Sequence, residues 1–546
     1  MRLLLLLFCL LPVHFLGQSL LIRQARILDV PGGEIIGPYD LKIDQGLIVS
    51  MELSAEAQLF AEDTLLANGR YVMPGLVDGH VHHFQSGGLY ARPDVIDLRA
   101  VRPYQEEQAW LWDNIPEIWL RYLAAGITTT FDLGGPLKNY SLRDSASQTV
   151  SPNIRLTGPL LSSYQPAEFG GEDPPIILVQ SPEEGRIKVR EQLPLKPDFI
   201  KIWYIVLPGQ DPQRFFSIAK AICDEAHQAG IPVAVHATQL NTAKKAIEAG
   251  ADFLVHSVND RLVDSAFVEL MLQEQVYYCP TLTVSQSYEE VLAGRPDLRD
   301  LDWSLGQAEV IRSLWTLPQL EPEARPTWVD RLIAEPLSED RRRPIMATNL
   351  KTLAQAGVPI ITGTDAGNIG TLHASSYAEE LEAMLDAGLS PTQVLRACTS
   401  HPAAFFGQKA GQVAVGYKAD LLMLDENPLE DPFVVNQPTV VLKNGKMLYP
   451  SKMVAQSAQD VASLWASSWR VGAWKILGEM LHPGIVMKDR GRQWVGRNRV
   501  ILLLQNRQVP SGTLQLYEQE QGWLLQWGDR SIFLKIKQGK VSEIWL

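Results

Sequence analysis

The chain has 546 residues, 46% of them hydrophobic and 20% charged, and a net charge of −13. That length suits one large globular domain with additions. The acidic balance argues against nucleic acid or an anionic membrane surface as a partner, because both attract basic proteins.

Residues 1–19, MRLLLLLFCLLPVHFLGQS, read as a secretory signal. Arg2 gives the positive start, and the apolar run from Leu3 to Leu11 is closed by Pro12 and too short to span a bilayer. No later run is apolar and long enough to span one. The expectation is a secreted or periplasmic protein without a membrane span once the signal is removed. Cys223, Cys279 and Cys398 then remain, too widely spaced for a disulfide framework or a zinc-binding pair.

From residue 20 to about 70, LLIRQARILDV and DLKIDQGLIVSMEL alternate apolar and polar residues between Gly and Pro punctuation, which predicts strands. Similar runs return at 409–450, in ADLLMLDENP and TVVLKNGKMLY. Between them, over 71–408, eight apolar runs alternate with helical stretches: YVMPGLVDGHVH, GITTTFDLGG, NIRLTGPLL, DFIKIWYIV, IPVAVHAT, ADFLVHSV, QVYYCPTL and VPIITGTDAG. Continuous apolar strands alternating with helices imply a parallel sheet covered on both faces, and eight such units point to an α/β fold of the (β/α)8, TIM-like barrel type. The charged, Pro-rich stretch from Ser285 to Pro359 reads as a helical insertion after the seventh strand, part of a lid. Residues 451–546 read as a C-terminal α+β extension: a helix, then a β-meander beginning at RVILLLQ. Half of the chain's 14 tryptophans fall in this tail. They would form its core or a docking surface, and the pattern does not choose.

Residues two apart in a strand share a face. In DGHVHHF, His80 and His82 therefore point one way and His83 the other. Other strands end in candidate ligands at the same end: His236 in VAVHAT, His256 in FLVHS and Asp365 in TGTDAG. A single histidine at a strand end is more often structural, but three histidine sites and an aspartate converging from four strands argue for a metal, since imidazole and carboxylate are zinc-type donors. Lys201, inside DFIKIWY, is costly to bury as a cation, so its pKa should fall. A neutral amine reacts with carbon dioxide to give a carbamate that bridges two metals; the alternative is a structural lysine paired with Asp365 or Asp198.

These motifs, with LAAGITTTFDLGG, SHPAAFFG and GQVAVGYKADLLML, resemble the amidohydrolase superfamily over about Leu20 to Tyr449, most closely its imidazolonepropionase-related and Xaa-Pro dipeptidase-like branch. The resemblance implies that strands from both flanks of the barrel form a composite β-sandwich. It implies two divalent metal ions, zinc being favoured: His80, His82 and Asp365 on one, His236 and His256 on the other, with Lys201 bridging as N6-carboxylysine. The implied activity is hydrolysis of an amide bond in a small substrate (a dipeptide, N-acyl amino acid or cyclic amide) by hydroxide held between the metals, with Asp365 as the catalytic proton carrier. Lactone or phosphoester hydrolysis on the same site is the alternative, and a non-catalytic binding protein a further one. Homo-oligomerisation stays open. The resemblance offers His373 as a substrate contact, with a surface or helix-capping role as the other reading. Tyr204 and Tyr164 are further substrate candidates, although relatives carry their tyrosine where Trp203 stands, and the loop SSYQPAEFGGED lacks the histidine found in relatives. His227, His401 and His482 read as structural.

Overall fold

The computed structural model describes residues 19–546 apart from 208, 336–341, 455–456, 490–491, 506, 508–514, 520–521, 528–529, 538 and 546. The expected signal segment therefore lies outside the described residues.

The N-terminal strands Leu20–Asp29, Glu34–Asp44, Leu47–Leu53, Asp63–Leu66 and Tyr71–Pro74 do not form a sheet of their own. They continue through Tyr71–Pro74 into Leu421–Leu424, Val440–Lys443 and Lys446–Leu448 to make one eight-stranded sheet. The two flanks of the chain thus meet in one sheet. Each brings apolar residues (Ile22, Ile27, Leu41, Ile43 and Val72 from one side, Leu421, Met423 and Leu442 from the other) to one buried cluster.

The intervening runs are parallel strands. Leu76–Val81, Ile127–Asp132 and Asn153–Leu156 pair in order. Leu160–Ser162, Ile200–Trp203, Val233–His236, Phe253–Val255 and Tyr277–Cys279 pair in order beyond them, with Ile176–Leu178 on the outer edge. The expected strand NIRLTGPLL is broken at Gly158-Pro159, so its two halves pair with different neighbours. VPIITGTDAG forms no extended strand. It joins the parallel set through single bridges, Ile360 to Tyr278 and Ala366 to Val81. Gly363 is required there: a Cβ at this position would stand 2.6 Å from Cys279 Sγ and 2.7 Å from the His80 backbone nitrogen. The strands are apolar on both faces because helices such as Tyr104–Ala124, Phe216–Gln228 and Leu240–Ala249 cover them, and together they share one core.

The segment after Tyr277–Cys279 is helical as expected, with Val284–Leu292, Asp300–Leu305, Ala308–Leu314 and Thr327–Ala334 preceding the longer helix Arg342–Ala356.

The tail departs from expectation at RVILLLQ and in the two strands that precede it. RVILLLQ was expected to open the meander as a strand, but it lies within a helix, Arg497–Gln505. Val500 and Leu504, one helical turn apart, are the residues it buries, a spacing that a period-two reading of an apolar run cannot see. The sheet instead starts with Leu481–Asp489 and Arg492–Val495, followed by Gln515–Gln519, Gly522–Trp527, Arg530–Lys537 and Lys540–Trp545. The helix Ala458–Val471 packs Trp465 and Trp469 against this sheet, so these tryptophans are core. No described helix is long and apolar enough to cross a membrane.

Candidate metal centre

Alternation along the first parallel strand brings His80 and His82 to one side, with their Nε2 atoms 3.3 Å apart. Asp365 Oδ1 completes the group, 3.3 Å from His80 Nε2 and 3.2 Å from His82 Nε2. The strand nearest in sequence to Asp365 is not what places it. Its backbone nitrogen donates to His80 O at 2.7 Å, and the Thr364 hydroxyl and amide both donate to buried Asp78, fastening this turn to the DGHVH strand. Asp78 loses hydration there, and its pKa is pushed up to about 7 by burial.

His236 and His256 close the opposite side. Their rings lie 4.4 Å apart centre to centre, and His256 is 4.9 Å from His80. His256 and Asp365 both adopt left-handed backbone, at φ 73° and 62°. That conformation costs a non-glycine residue on the order of 1–2 kcal/mol and persists only where surrounding contacts impose it, a recurrent property of functional sites. Thr281 Oγ1 holds His256 Nδ1 at 2.8 Å, and the Gly134 carbonyl accepts from His82 Nδ1 at 2.7 Å, which leaves His82 Nε2 as the free lone pair.

Lys201 enters from below. It is buried, and its Nζ has no hydrogen-bond partner. Burial pulls its pKa down from 10.5 to about 7, against a smaller opposing pull from Asp365. The alternative pairing with Asp198 is not made: that carboxylate takes Arg143 at 2.7 Å and Arg155 at 2.8 Å. His80, His236 and His256 are held well below the ordinary histidine value, by burial first and then by neighbouring positive groups including Lys201. His80, His82 and Asp365 each bring one ligand atom within 4.8 Å of the others, and His80 Nδ1 and Asp365 Oδ1 lack hydrogen-bond partners, a donor set that fits a divalent metal; His236, His256 and Lys201 line the cavity beside it.

His83 points away from this group, as the alternation requires. Its backbone nitrogen and Nδ1 both meet Asp132 Oδ2 at 3.2 Å, and its ring stacks on His373 at 5.7 Å. Asp132 also accepts from the Gly134 nitrogen, so the same carboxylate that binds His83 shapes the turn whose carbonyl orients His82.

The groups open onto a cavity of about 390 Å³, lined by His82, Lys201, His236, His256 and Asp365 on its floor. Phe84, Val95, Leu160, Ile176, Trp203 and Leu292 give it apolar walls. Three substrate candidates sit elsewhere. His373 is buried behind the site, with Tyr122 OH at 2.8 Å from Nδ1 and Gln85 O at 2.7 Å from Nε2, so both ring nitrogens are engaged. It neither lines the cavity nor caps a surface helix. Tyr204 follows Trp203 in the alternation, so it packs against Phe215 in the core while Trp203 takes the cavity wall. Tyr164 is partly exposed and reaches the site only through its contact with Trp203, 6.3 Å between ring centres.

The sequence reading missed Arg92, whose guanidinium lines the cavity. Asp94 grips it through Nε at 2.8 Å and Nη2 at 2.7 Å, and its Nη1 donates to Tyr288 OH at 3.0 Å and to Asn368 Oδ1. Arg92 comes from the loop after the first parallel strand, Tyr288 from the inserted helix and Asn368 from the turn after Asp365. No local pattern links the three.

The amidohydrolase family model matches residues 71–448. The chain belongs to the amidohydrolase family. Ochratoxinase from Aspergillus niger is 25% identical over 418 residues, which cover 69% of this chain and 75% of that one. Among solved structures, a Xaa-Pro dipeptidase with bound methionine aligns with TM-score 0.60 and 23% identity, covering 79% of this chain and all of the other. The A. niger ochratoxinase structure aligns with TM-score 0.59 and 22% identity, covering 80% of this chain and 96% of that one. These neighbours share the TIM-barrel-like amidohydrolase fold, and family membership supports a hydrolase.

Proposed function

We propose that this protein is an exported, binuclear metal-dependent amidohydrolase that cleaves the amide bond of a small N-acyl amino acid or dipeptide carrying a free carboxylate. The parallel strands are read as one closed eight-stranded barrel. Residues 20–70 and 409–450 form its flanking domain, and residues 1–19 its export signal. His80, His82 and Asp365 would hold one metal, His236 and His256 the other, with carboxylated Lys201 between them. Zinc suits the nitrogen-rich donor set. When bound, the pair supplies an acidified water and a polarised carbonyl.

The chain's own groups set the rest. Asp365 faces the histidine cluster with one carboxylate oxygen and His256 with the other, at 3.9 Å, so it is placed to take a proton from the attacking water and return it to the leaving nitrogen. The apolar walls exclude bulk water and strengthen every polar contact inside. The single observation that carries the substrate class is Arg92 in the cavity wall. Its guanidinium lines the cavity with its Nε and Nη2 fork taken by Asp94 and its Nη1 hydrogens by Tyr288 and Asn368, so a substrate carboxylate would meet its positive charge and the one remaining Nη2 hydrogen. The neighbouring dipeptidase is in keeping with an amide bond as the target.

The test is a panel of N-acyl amino acids, their carboxamide counterparts, lactones and phosphotriesters, assayed with zinc-loaded protein. The free-carboxylate amides should be the best substrates, and Arg92→Met should raise KM for them by about 10- to 100-fold, the equivalent of a lost charge-assisted hydrogen bond. Preference for lactones or phosphotriesters would overturn the assignment. Fewer than about one metal per chain in carefully prepared protein would instead revive a binding role.

A further inference from the structure

The C-terminal extension lies beyond the family match. That match ends at residue 448, and the dipeptidase and ochratoxinase structures align over 96% or more of their own length while covering about four-fifths of this chain. Its place in the structure is not peripheral. The helix Ala458–Val471 has two buried faces. Val461, Trp465 and Trp469 turn into the tail's own core, while Leu464 turns the other way and is buried among Trp303, Ile311, Leu314 and Trp315 of the insertion. The next helix, Trp474–Met480, adds Ile476 to the same cluster, and Lys475 makes an ion pair with Asp300 at its rim.

What lies under this seam is the cavity wall. The helix Ala308–Leu314, on which the tail helix packs, holds the loop that follows the DGHVH strand: Ser313 Oγ accepts from the Leu89 nitrogen at 3.0 Å, three residues before Arg92. The same apolar cluster includes Leu89 and Ile96, on either side of Arg92, and Leu292 of the helix that carries Tyr288. Arg92 and Tyr288 therefore stand on two segments whose common backing is a helix clamped by the tail.

We infer that the C-terminal extension is a specificity-determining part of this enzyme: it braces the insertion so that Arg92 and Tyr288 are held at the spacing that receives the substrate carboxylate. The inference rests on the reading of Arg92 as the carboxylate clamp. Leu464 and Ile476 are positioning residues, acting through Ala308–Leu314, and touch no substrate. A tail serving only as an added stabilising domain would affect all substrates alike.

The experiment uses the full-length, zinc-loaded protein and the variants Leu464→Ala and Lys475→Glu. The second is a surface change that sets like charge against Asp300 without entering any core. Hydrogen exchange is followed in 284–317, and N-acetylphenylalanine is compared with its carboxamide. Leu464→Ala should speed exchange in 284–317 by about tenfold. It should raise KM for the carboxylate substrate by about tenfold, leaving kcat and the carboxamide's kcat/KM within about twofold. Lys475→Glu should move both readouts in the same direction by about twofold. In an Arg92→Met background the KM effect of Leu464→Ala should vanish. Unchanged exchange in both variants overturns the inference, as does an equal loss on carboxylate and carboxamide. Should the wild type hydrolyse neither, the substrate reading has failed, and faster exchange confined to 284–317 would still establish the brace.

Discussion

Lys201→Met separates the metal-free protein from the working enzyme. In the metal-free protein Lys201 is a buried amine without a hydrogen-bond partner, and burial lowers its pKa from 10.5 to about 7. The unfolded chain holds the proton throughout that window and the folded chain does not, so the unfolded state binds more protons and stability rises with pH between about 7 and 10.5. Below about pH 7 the penalty is present in full. At about pH 7.5, some three pH units under the ordinary value, it amounts to about 4 kcal/mol, at about 1.4 kcal/mol per pH unit. Methionine fills nearly the same volume and carries no charge to desolvate. Chelator-stripped Lys201→Met should therefore be more stable to urea than stripped wild type at about pH 7.5, by up to about 4 kcal/mol, and the gain should shrink as pH approaches 10. The same variant should lose metal by elemental analysis and lose turnover if Lys201 carries the bridge proposed above. Equal or lower stability in the stripped variant would refute the claim that the amine is buried at a cost. Two metals per chain with full turnover would refute its bridging role.

Asp365→Asn should remain folded by circular dichroism while turnover drops about 10²- to 10⁴-fold, the range a positioned proton carrier contributes; activity near wild type would remove Asp365 from that role. His83→Ala should cost about 2–4 kcal/mol in denaturant melts, since it empties a buried site beside Asp132, yet keep metal content close to wild type, whereas His80→Ala or His82→Ala should strip it. Loss of metal from His83→Ala would show the strand's facing to be wrong. His373, pulled from 6.5 down to about 3 by burial first and by neighbouring His83 next, stays neutral in the folded chain while the unfolded chain protonates, so stability is lost as pH falls from about 6.5 toward 3. His373→Gln can donate to the Gln85 carbonyl and accept from Tyr122, and it should flatten that acid limb by about 1.4 kcal/mol per pH unit with KM unchanged; a raised KM would return His373 to the substrate.

The sequence by itself determined much of the floor of this site. The alternation of a β-strand is a local property, so His80 and His82 on one face, with His83 on the other, follow from the pattern alone, and two further strand ends supply His236 and His256, while Asp365 comes from a bridged turn and not from the expected strand. The apolar runs are legible for the same reason: a strand covered on both sides cannot conceal its hydrophobicity. Past the strand ends that logic stops. Trp203 rather than Tyr204 faces the cavity because the alternation that points Lys201 inward carries through to its second neighbour, a register that Tyr204's chemistry obscured. His373 turns inward because Tyr122 and the Gln85 carbonyl, 251 and 288 residues away in sequence, satisfy both its nitrogens. Arg92 acquires its place from Asp94 nearby and from Tyr288 and Asn368 far along the chain. RVILLLQ becomes a helix because a neighbouring surface accepts Val500 and Leu504 one turn apart. For His373, Arg92 and RVILLLQ a deciding contact is long-range, and short-range periodicity carries no information about which distant surface a side chain will meet.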